Sequence, residues 1–369
     1  MIDEKIKNAS DVIHSDISAM LCSAKSCLNF LKNTNVLITG GAGFLGYYLI
    51  QLLIAQRKVS GTLINIYVLE NFIRGRPEWI EALILNEDIN IIEADISKEL
   101  PLEVYNFDYI IHAASIASPT YYRLHPIETI DANVNGIRSL LEYSRTSLAS
   151  TRPVKGLLYF STSEIYGDPT ADAIPTKETY RGNVSCTGPR ACYDESKRLG
   201  ETLCVNFANQ YSVPVSIARP FNNYGPGLSM ADKRLLPDIA KSIFDNTDII
   251  LHSDGTATRT FCYVSDAIDG YLRILTKGHR GESYNIGTEL PEINVLDFAK
   301  LTVEIAKNSF GYQGKIVYRE SEDHNYLVDN PNRRCPDIGK AREHLGYKPQ
   351  VDLVDGIYRS LIWYRENLK

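Results

Sequence analysis

A tyrosine and a lysine four residues apart are the strongest candidates for chemistry in this sequence. Tyr193 and Lys197 lie in a stretch, residues 191–209, whose apolar residues recur at helical spacing, so both side chains should share one helix face. A nearby ammonium lowers the pKa of a phenol, which predicts that Tyr193 takes a proton from an alcohol. Because the chain has 23 tyrosines, about one such pair is expected by chance. The neighbouring residues must therefore decide between a base and two exposed helix residues.

A glycine-rich turn supplies a second candidate site. The β-rich run at residues 35–39 leads directly into Gly40-Gly41-Ala42-Gly43-Phe44-Leu45-Gly46 and an apolar-periodic helix. In this setting glycines permit a tight turn, close approach of a pyrophosphate and close packing of helix on strand. The N–H groups at the helix N-terminus favour the anion. The pattern thus predicts a dinucleotide site rather than a purely structural turn, with cofactor contacts from Gly40, Gly43, Phe44, Leu45 and Gly46.

The next β-rich run, residues 65–70, ends in Glu70, about twenty residues beyond the last glycine of the turn. A carboxylate there accepts both hydroxyls of an adenosine ribose and repels a 2′-phosphate, which favours NAD over NADP. Arg74 and Arg76 follow closely, and either of them could instead reach a 2′-phosphate or the diphosphate.

Further strands are predicted at residues 90–94, 109–113 and 156–160, with helical stretches between them. This alternation predicts an α/β fold: a Rossmann-type, doubly wound parallel sheet with a smaller C-terminal substrate-binding lobe. Ligands of such sheets lie beyond the carboxyl ends of the strands. We therefore expect the cofactor to meet Ala113, Ala114 and Ser115, and the substrate to meet Ser161 to Glu164.

The predicted domain boundaries follow from these elements. The chain would have a helical N-terminal extension over residues 1–34 and a nucleotide-binding domain over residues 35–220, to which residues 257–283 also belong. A substrate lobe would cover residues 221–256 and 284–369.

Arginines near the predicted crevice, Arg259 and Arg334 among them, suit phosphate or carboxylate oxygens because a guanidinium binds them bidentately.

Composition limits the class of protein. The 369 residues carry a net charge of -6 without a long basic run, which argues against nucleic acid or an anionic membrane as the main partner. No apolar run approaches about 18 residues, and no secretory signal layout is present, so we expect a cytoplasmic protein. The seven cysteines lack a Cys-x-x-Cys, which predicts reduced thiols, and the seven histidines show no metal-ligand spacing.

Together these residues resemble the extended short-chain dehydrogenase/reductase (NAD-dependent epimerase/dehydratase) family, and within it most closely the UDP-glucuronic acid decarboxylases. The resemblance covers residues 35–369. The stretches that carry it are Gly40 to Gly46, Ala114-Ser115-Ile116-Ala117-Ser118-Pro119, Ser161 to Pro169, Gly188-Pro189-Arg190-Ala191-Cys192-Tyr193-Asp194-Glu195-Ser196-Lys197-Arg198, Thr258 to Phe261, and Arg334 to Asp337.

The resemblance implies a role for each matching residue. Tyr193 would be the base, Lys197 would hold the nicotinamide ribose, and Thr162 would bind the reacting oxygen, with Ser163 and Glu164 beside them. Further NAD contacts would come from Asn71, Asp95, Ile96, Asn133 and Pro220. Substrate contacts would come from Ser118, Asn222, Arg234, Arg259 and Arg334. The family also implies a homodimer paired through the helices near residues 133–145 and 191–209.

The implied reaction starts with oxidation of a nucleotide sugar, preferably a UDP-sugar, at C4. A C6 carboxylate would then leave as carbon dioxide, which gives a 4-keto pentose. Return of the hydride to C4 would convert this ketone to UDP-xylose. Two other outcomes share the 4-keto sugar: loss of water, with Glu164 taking the C5 proton, or 4-epimerisation. Ser163 weighs against dehydration of the thymidine-diphosphate-sugar type, whose pattern has aspartate there. A non-catalytic nucleotide-binding protein on the same fold is the remaining alternative.

Overall fold

The computed structural model describes residues 6–86, 89–98, 105–321, 328 and 330–368. Its centre is a seven-stranded, fully parallel sheet in the order β11-β6-β5-β4-β1-β2-β3. The strands are β1 (Thr34–Thr39), β2 (Ile64–Glu70), β3 (Asn90–Glu93), β4 (Tyr109–His112), β5 (Gly156–Phe160), β6 (Val215–Pro220), β7 (Asn223–Tyr224), β8 (Ile249–Leu251), β9 (Thr258–Arg259), β10 (Cys262–Tyr263), β11 (Ser283–Ile286), β12 (Ile293–Asn294), β13 (Ile316–Tyr318) and β14 (Arg333–Arg334). The predicted fold class is confirmed.

Helices cover both faces of this sheet. They are α1 (Ala9–Ser23), α2 (Lys25–Leu28), α3 (Phe44–Ser60), α4 (Glu78–Asn86), α5 (Pro119–Leu124), α6 (Pro126–Ser147), α7 (Ala191–Tyr211), α8 (Leu235–Phe244), α9 (Val264–Lys277), α10 (Val295–Phe310), α11 (Gly339–Leu345) and α12 (Leu353–Asn367). Strands β1, β4 and β5 are almost wholly buried, which is why they read as continuous apolar runs rather than alternating ones.

The glycine turn between β1 and α3 has the geometry that its sequence predicts. Gly40 has a φ of +70°, and a Cβ there would lie 2.6 Å from the backbone of Ala114. A Cβ on Gly46 would lie 2.2 Å from the carbonyl oxygen of Gly41. Side chains at either position would push the turn away from β4 or lift α3 off the strand. These glycines therefore keep the N-terminus of α3 at the carboxyl edge of the sheet.

The N-terminal helix α1 is tied to the body by a buried carboxylate. Asp16 is fully buried, accepts hydrogen bonds from Tyr48 on α3 (3.1 Å) and from Tyr263 (2.8 Å), and pairs with Arg359 on α12 at 3.0 Å. Burial, opposed by these partners, raises the pKa of Asp16 to about 6. Three distant elements thus share one anchor on the helix that the sequence predicts as an extension.

Beyond the main sheet, short strands build the region over the carboxyl edge. β9 lies between β12 and β14, β7 pairs with β10, and β8 pairs with β13. Strand β11 joins the main sheet beside β6, so residues 283–286 belong to the sheet and not to the lobe predicted from residue 284. The boundaries of the domains otherwise stay predictions. Parts of them, residues 1–5, 87–88, 99–104, 322–327, 329 and 369, lie outside the described residues.

Candidate active site

A cavity of about 780 Å³ opens at the carboxyl edge of the sheet. It runs from the glycine turn and the end of β2, past the ends of β4 and β5, to the N-terminal part of α7. Every residue predicted to contact cofactor or substrate lines this cavity, except Asn133 and Arg259. The fold therefore assembles in one place the motifs that are scattered widely over the sequence.

The end of the cavity near β2 has the features expected for an adenosine. The Glu70 carboxylate accepts hydrogen bonds from the backbone N–H groups of Ala42 (3.2 Å), Asn71 (3.1 Å) and Phe72 (3.4 Å), and its burial raises its pKa. Arg74 instead pairs with Asp232 at 2.8 Å, and Arg76 pairs with Glu81 and Glu93. Both arginines already have acidic partners, so they do not form a 2′-phosphate site here.

The cavity also fits a dinucleotide by its unsatisfied polar groups. The hydroxyl groups of Ser115, Ser118 and Ser161 line it, are buried, and find no hydrogen-bond partner among the described residues. Buried hydroxyls are normally hydrogen-bonded, so three such groups in one cavity suit a ligand with many oxygens. NAD would thus be held by the glycine turn, Glu70 and these serines.

The candidate catalytic pair lies where the sequence predicts it. α7 begins at Ala191 and places Tyr193 and Lys197 one turn apart, with the Lys197 ammonium 5.9 Å from the centre of the Tyr193 ring. Lys197 is buried and donates to the backbone oxygen of Phe160 at 2.8 Å. The ring of Tyr193 stacks on Tyr122 from α5, with centroids 5.2 Å apart and planes at 9°. The stack on Tyr122 thus fixes the orientation of the Tyr193 ring.

The expected lowering of the Tyr193 pKa is wrong for the protein alone. Burial, reinforced by the negative charge of Glu164, raises the pKa of Tyr193 to about 12, although a hydrogen bond with Thr162 opposes this shift. Burial also lowers the pKa of Lys197 to about 7. The spacing of the pair is correct, but the desolvation of both groups outweighs their mutual effect.

Glu164 is the centre of a cluster of arginines. It follows β5 in a 3₁₀ turn, Ser163–Tyr166, and its backbone N–H donates to the capping hydroxyl of Thr162 at 3.2 Å. Its Oε2 lies 2.5 Å from an Nη2 of Arg190 and 2.5 Å from an Nη2 of Arg334. Despite burial, the positive charges of Arg334 and then Arg190 lower the pKa of Glu164 to about 2.

Three side chains near Glu164 and Tyr193 are absent from the residues predicted for the site: Arg190, Tyr122 and Asp194. Arg190 and Tyr122 line the cavity, and Asp194 pairs with Arg190 at 3.5 Å. Burial and the charge of Glu164 raise the pKa of Asp194 to about 7. The position of Arg190, directly before α7 and four residues before Asp194, was the available signal. Nothing in the spacing of Tyr122 distinguishes it from other tyrosines.

Asn133 and Arg259 do not line the cavity. Asn133 is fully buried between α6 and α7, where its amide donates to Ser196 Oγ at 2.9 Å. Arg259 turns its guanidinium towards backbone oxygens, including those of Thr258 (2.7 Å) and Pro331 (2.6 Å). Because these carbonyls occupy its donors, Arg259 supports the chain around β14 instead of presenting a free guanidinium to a substrate.

Comparison with known proteins agrees with this geometry. The family model described as "NAD dependent epimerase/dehydratase family" matches residues 36–287. The chain belongs to this family. Its relatives include UDP-glucuronic acid decarboxylase 1 of Arabidopsis thaliana, which is 34% identical over 337 residues, or 91% of this chain and 71% of the relative. The resemblance predicted from the motifs is confirmed.

Solved structures of epimerase/dehydratase relatives superpose over most of the chain. A UDP-glucose 4-epimerase from Thermotoga maritima with UDP-glucose has a TM-score of 0.76 at 25% identity, covering 91% of this chain and all of that one. A dTDP-glucose 4,6-dehydratase from Streptomyces venezuelae with bound NAD has a TM-score of 0.75 at 25% identity, covering 90% and 97%. These findings confirm NAD as the cofactor.

Proposed function

We propose that this epimerase/dehydratase family member is a UDP-glucuronate decarboxylase that works through a 4-keto sugar. The observation that carries the proposal is the convergence of Arg190 and Arg334 on Glu164 in the cavity that holds Tyr193. Two guanidinium groups at one place provide more donors than a single glutamate uses, so they suit the carboxylate of an acid sugar. The decarboxylases among the relatives support the same reading.

In the proposed reaction the residues of α7 manage the first proton. Tyr193 takes the proton of the C4 hydroxyl, Thr162 holds the same oxygen, and Lys197 would bind the nicotinamide ribose beside them. Bound NAD supplies the hydride acceptor, later the donor, and a cationic ring that favours the phenolate. The resulting ketone stands β to the C6 carboxylate, so the carbon–carbon bond breaks with release of carbon dioxide and the electron pair passes into an enolate.

The arginines beside Glu164 would act on the carboxylate, before the enolate forms. Arg190 and Arg334 orient the carboxylate before it leaves, and a proton must be added at C5 once it has gone. That proton would come from water that reaches the cavity, because Glu164 is deprotonated at its pKa of about 2 and Asp194 does not line the cavity. Return of the hydride to C4, with Tyr193 giving its proton back, yields UDP-xylose.

A 4,6-dehydratase is the second candidate, because the dehydratase from Streptomyces venezuelae has the same fold and Glu164, which lines the cavity, would be the group that takes the C5 proton. Epimerisation is the third, since the Thermotoga maritima enzyme is an epimerase. The pKa of Glu164, about 2, weighs against dehydration, because such a carboxylate is a weak base while both arginines hold it.

The test is a panel of nucleotide sugars, UDP-glucuronate, UDP-glucose and dTDP-glucose, with products followed by mass spectrometry. We expect UDP-glucuronate alone to lose the mass of one carbon dioxide. Loss of the mass of water from a C6-hydroxyl sugar would establish the dehydratase, and an isomer of unchanged mass would establish the epimerase. Tyr193→Phe is the control, and it should form none of these products.

We further propose a homodimer and a cytoplasmic location. α6 and α7 leave apolar side chains exposed, among them Ile127, Ile130 and Leu199, which supports pairing of these helices with a second copy. The seven free thiols suit a reducing compartment. No helix within the described residues is long and apolar enough to span a membrane, and the acidic net charge favours a small-molecule substrate over nucleic acid. Light scattering at micromolar concentration tests the dimer.

A further inference from the structure

We propose that Arg219, on β6, is a positioning residue that holds the catalytic helix, the Glu164 turn and the Arg334 segment in one arrangement. The inference rests on the proposed function only for the reaction that these segments perform. Arg219 is not part of the cavity wall, and about 10% of its side chain is exposed. Any effect it has on the reaction must therefore pass through the residues that it contacts.

The guanidinium of Arg219 uses four hydrogen bonds. Its Nε and Nη2 donate to the two carboxylate oxygens of Glu201 at 2.8 and 2.6 Å. Its Nη1 donates to the hydroxyl of Tyr166 at 2.7 Å and to the backbone oxygen of Glu178 at 2.9 Å. Burial alone would lower the pKa of Arg219, but the negative charge of Glu201 raises it, so the guanidinium stays charged. This planar fork has no equivalent in a lysine.

Two of these contacts lead directly to site residues. Glu201 lies one turn beyond Lys197 on α7, so the carboxylate–guanidinium pair fixes the rotation of the helix that carries the catalytic lysine. Tyr166 is the last residue of the 3₁₀ turn that contains Glu164. A shift of either partner would therefore move Lys197 relative to Glu164.

A third path reaches Arg334. The Tyr166 hydroxyl donates to Asn285 Oδ1 at 2.8 Å, and the amide nitrogen of Asn285 donates to the backbone oxygen of Asp337 at 3.0 Å. Asp337 lies three residues after Arg334, the guanidinium that holds Glu164 from the other side. The side chains that form this chain of hydrogen bonds are buried or nearly so, which makes its geometry strict because unpaired polar groups there are costly.

The test replaces the buried pair without leaving a charge unpaired. The double variant combines Arg219→Met with Glu201→Met. Two apolar side chains of similar length then replace the ion pair, an exchange that buried pairs often tolerate. Arg219→Lys keeps the charge but not the fork. The matched control is Arg273→Met with Asp269→Met, because Arg273 and Asp269 form another mostly buried bidentate pair on α9 (2.6 and 3.3 Å).

The first readout is hydrogen–deuterium exchange of the protein without cofactor. We expect faster exchange over residues 163–166 and 333–337 in the Arg219 double variant, with no such change in the control pair. The second readout is steady-state turnover of whichever nucleotide sugar the wild type converts. Because a displacement of about 1 Å costs on the order of 100-fold, kcat should fall by that factor while KM stays within a few-fold, and Arg219→Lys should recover only part of it.

Folded Arg219 variants with wild-type exchange in both segments and wild-type kcat would overturn the inference. It also fails if kcat falls only in proportion to the unfolded fraction measured by circular dichroism, or if the control pair gives the same losses. Failure of the proposed function is a separate result. It appears as a different wild-type product, whereas the exchange experiment measures how firmly the two segments are held, without any substrate.

Discussion

Arg334 and Arg259 make a sharp test of how the site selects an acid sugar. The two residues are register partners on the paired strands β14 and β9, yet only Arg334 reaches Glu164 in the cavity. Replacing Arg334 with Gln removes one of the two guanidinium groups available to a C6 carboxylate and keeps a side chain of comparable reach. Arg259→Gln is the matched control on the neighbouring strand.

The expected magnitude follows from the burial of the pair. About 12% of the Arg334 side chain and 18% of the Glu164 side chain are exposed, so the lost contact is a largely desolvated one. Because Arg190 remains, we take the lower part of the usual range, about 2–3 kcal/mol, or roughly 30- to 150-fold in affinity. Arg334→Gln should weaken UDP-glucuronate binding by this factor and UDP-glucose binding much less.

Calorimetric titration of the NAD-loaded protein with both sugars measures this ratio directly. Arg259→Gln should leave the ratio unchanged and instead lower the free energy of unfolding, because it removes the donor to several buried carbonyls. If Arg259→Gln reduces the preference for UDP-glucuronate and Arg334→Gln does not, the assignment of the two arginines is wrong. Equal loss of both sugars in Arg334→Gln would show that this residue binds the nucleotide and not the acid.

Three further predictions concern the buried Asp16 carboxylate, the ion pair of Arg74 with Asp232, and the glycine turn. Burial raises the pKa of Asp16 to about 6, so as the pH falls the folded state binds this proton before the unfolded state does. The unfolding free energy of the wild type, relative to that of Asp16→Asn, should therefore rise by about 2 kcal/mol from pH 7 to pH 4.5 in urea titrations. A difference that does not change with pH would contradict this prediction. Arg74 and Asp232 both line the cavity and form an ion pair. Because a partly exposed pair is worth about 0.5–1 kcal/mol, Arg74→Ala should speed NAD release by roughly 2- to 5-fold in stopped flow, and reversing both charges should restore slow release. Gly46→Ala should lower the free energy of unfolding by about 1–3 kcal/mol, because the new Cβ meets a backbone oxygen. In Gly43→Ala the Cβ meets its nearest neighbour at an ordinary 3.5 Å, so this variant should lose NAD affinity while its free energy of unfolding stays unchanged.

The parts of the fold that follow from local sequence were predictable. Buried strands, the glycine turn and the helix carrying Tyr193 each have a local pattern, and parallel sheets place their carboxyl ends at one edge. The destination of a long side chain has no such pattern. Arg259 and Arg334 look alike in sequence, and only the described fold shows that carbonyls of the chain near β14 surround the first and Glu164 faces the second.

Electrostatic properties were the least predictable. The spacing of Tyr193 and Lys197 indicates their proximity but not their desolvation, which determines both pKa values. Asp16 pairs with residues 247 and 343 positions away, so no local pattern in residues 1–34 indicates an anchor. The sequence does not show that the Arg190 guanidinium pairs with Glu164, 26 positions away.

The most direct measurement of the proposed decarboxylation uses UDP-glucuronate labelled at C6 with purified, NAD-containing protein. We predict release of labelled carbon dioxide in step with an unlabelled pentose product, without net accumulation of NADH, and no release from Tyr193→Phe. Retention of the label in the nucleotide-sugar product, with the protein folded and NAD bound, would contradict the decarboxylase function.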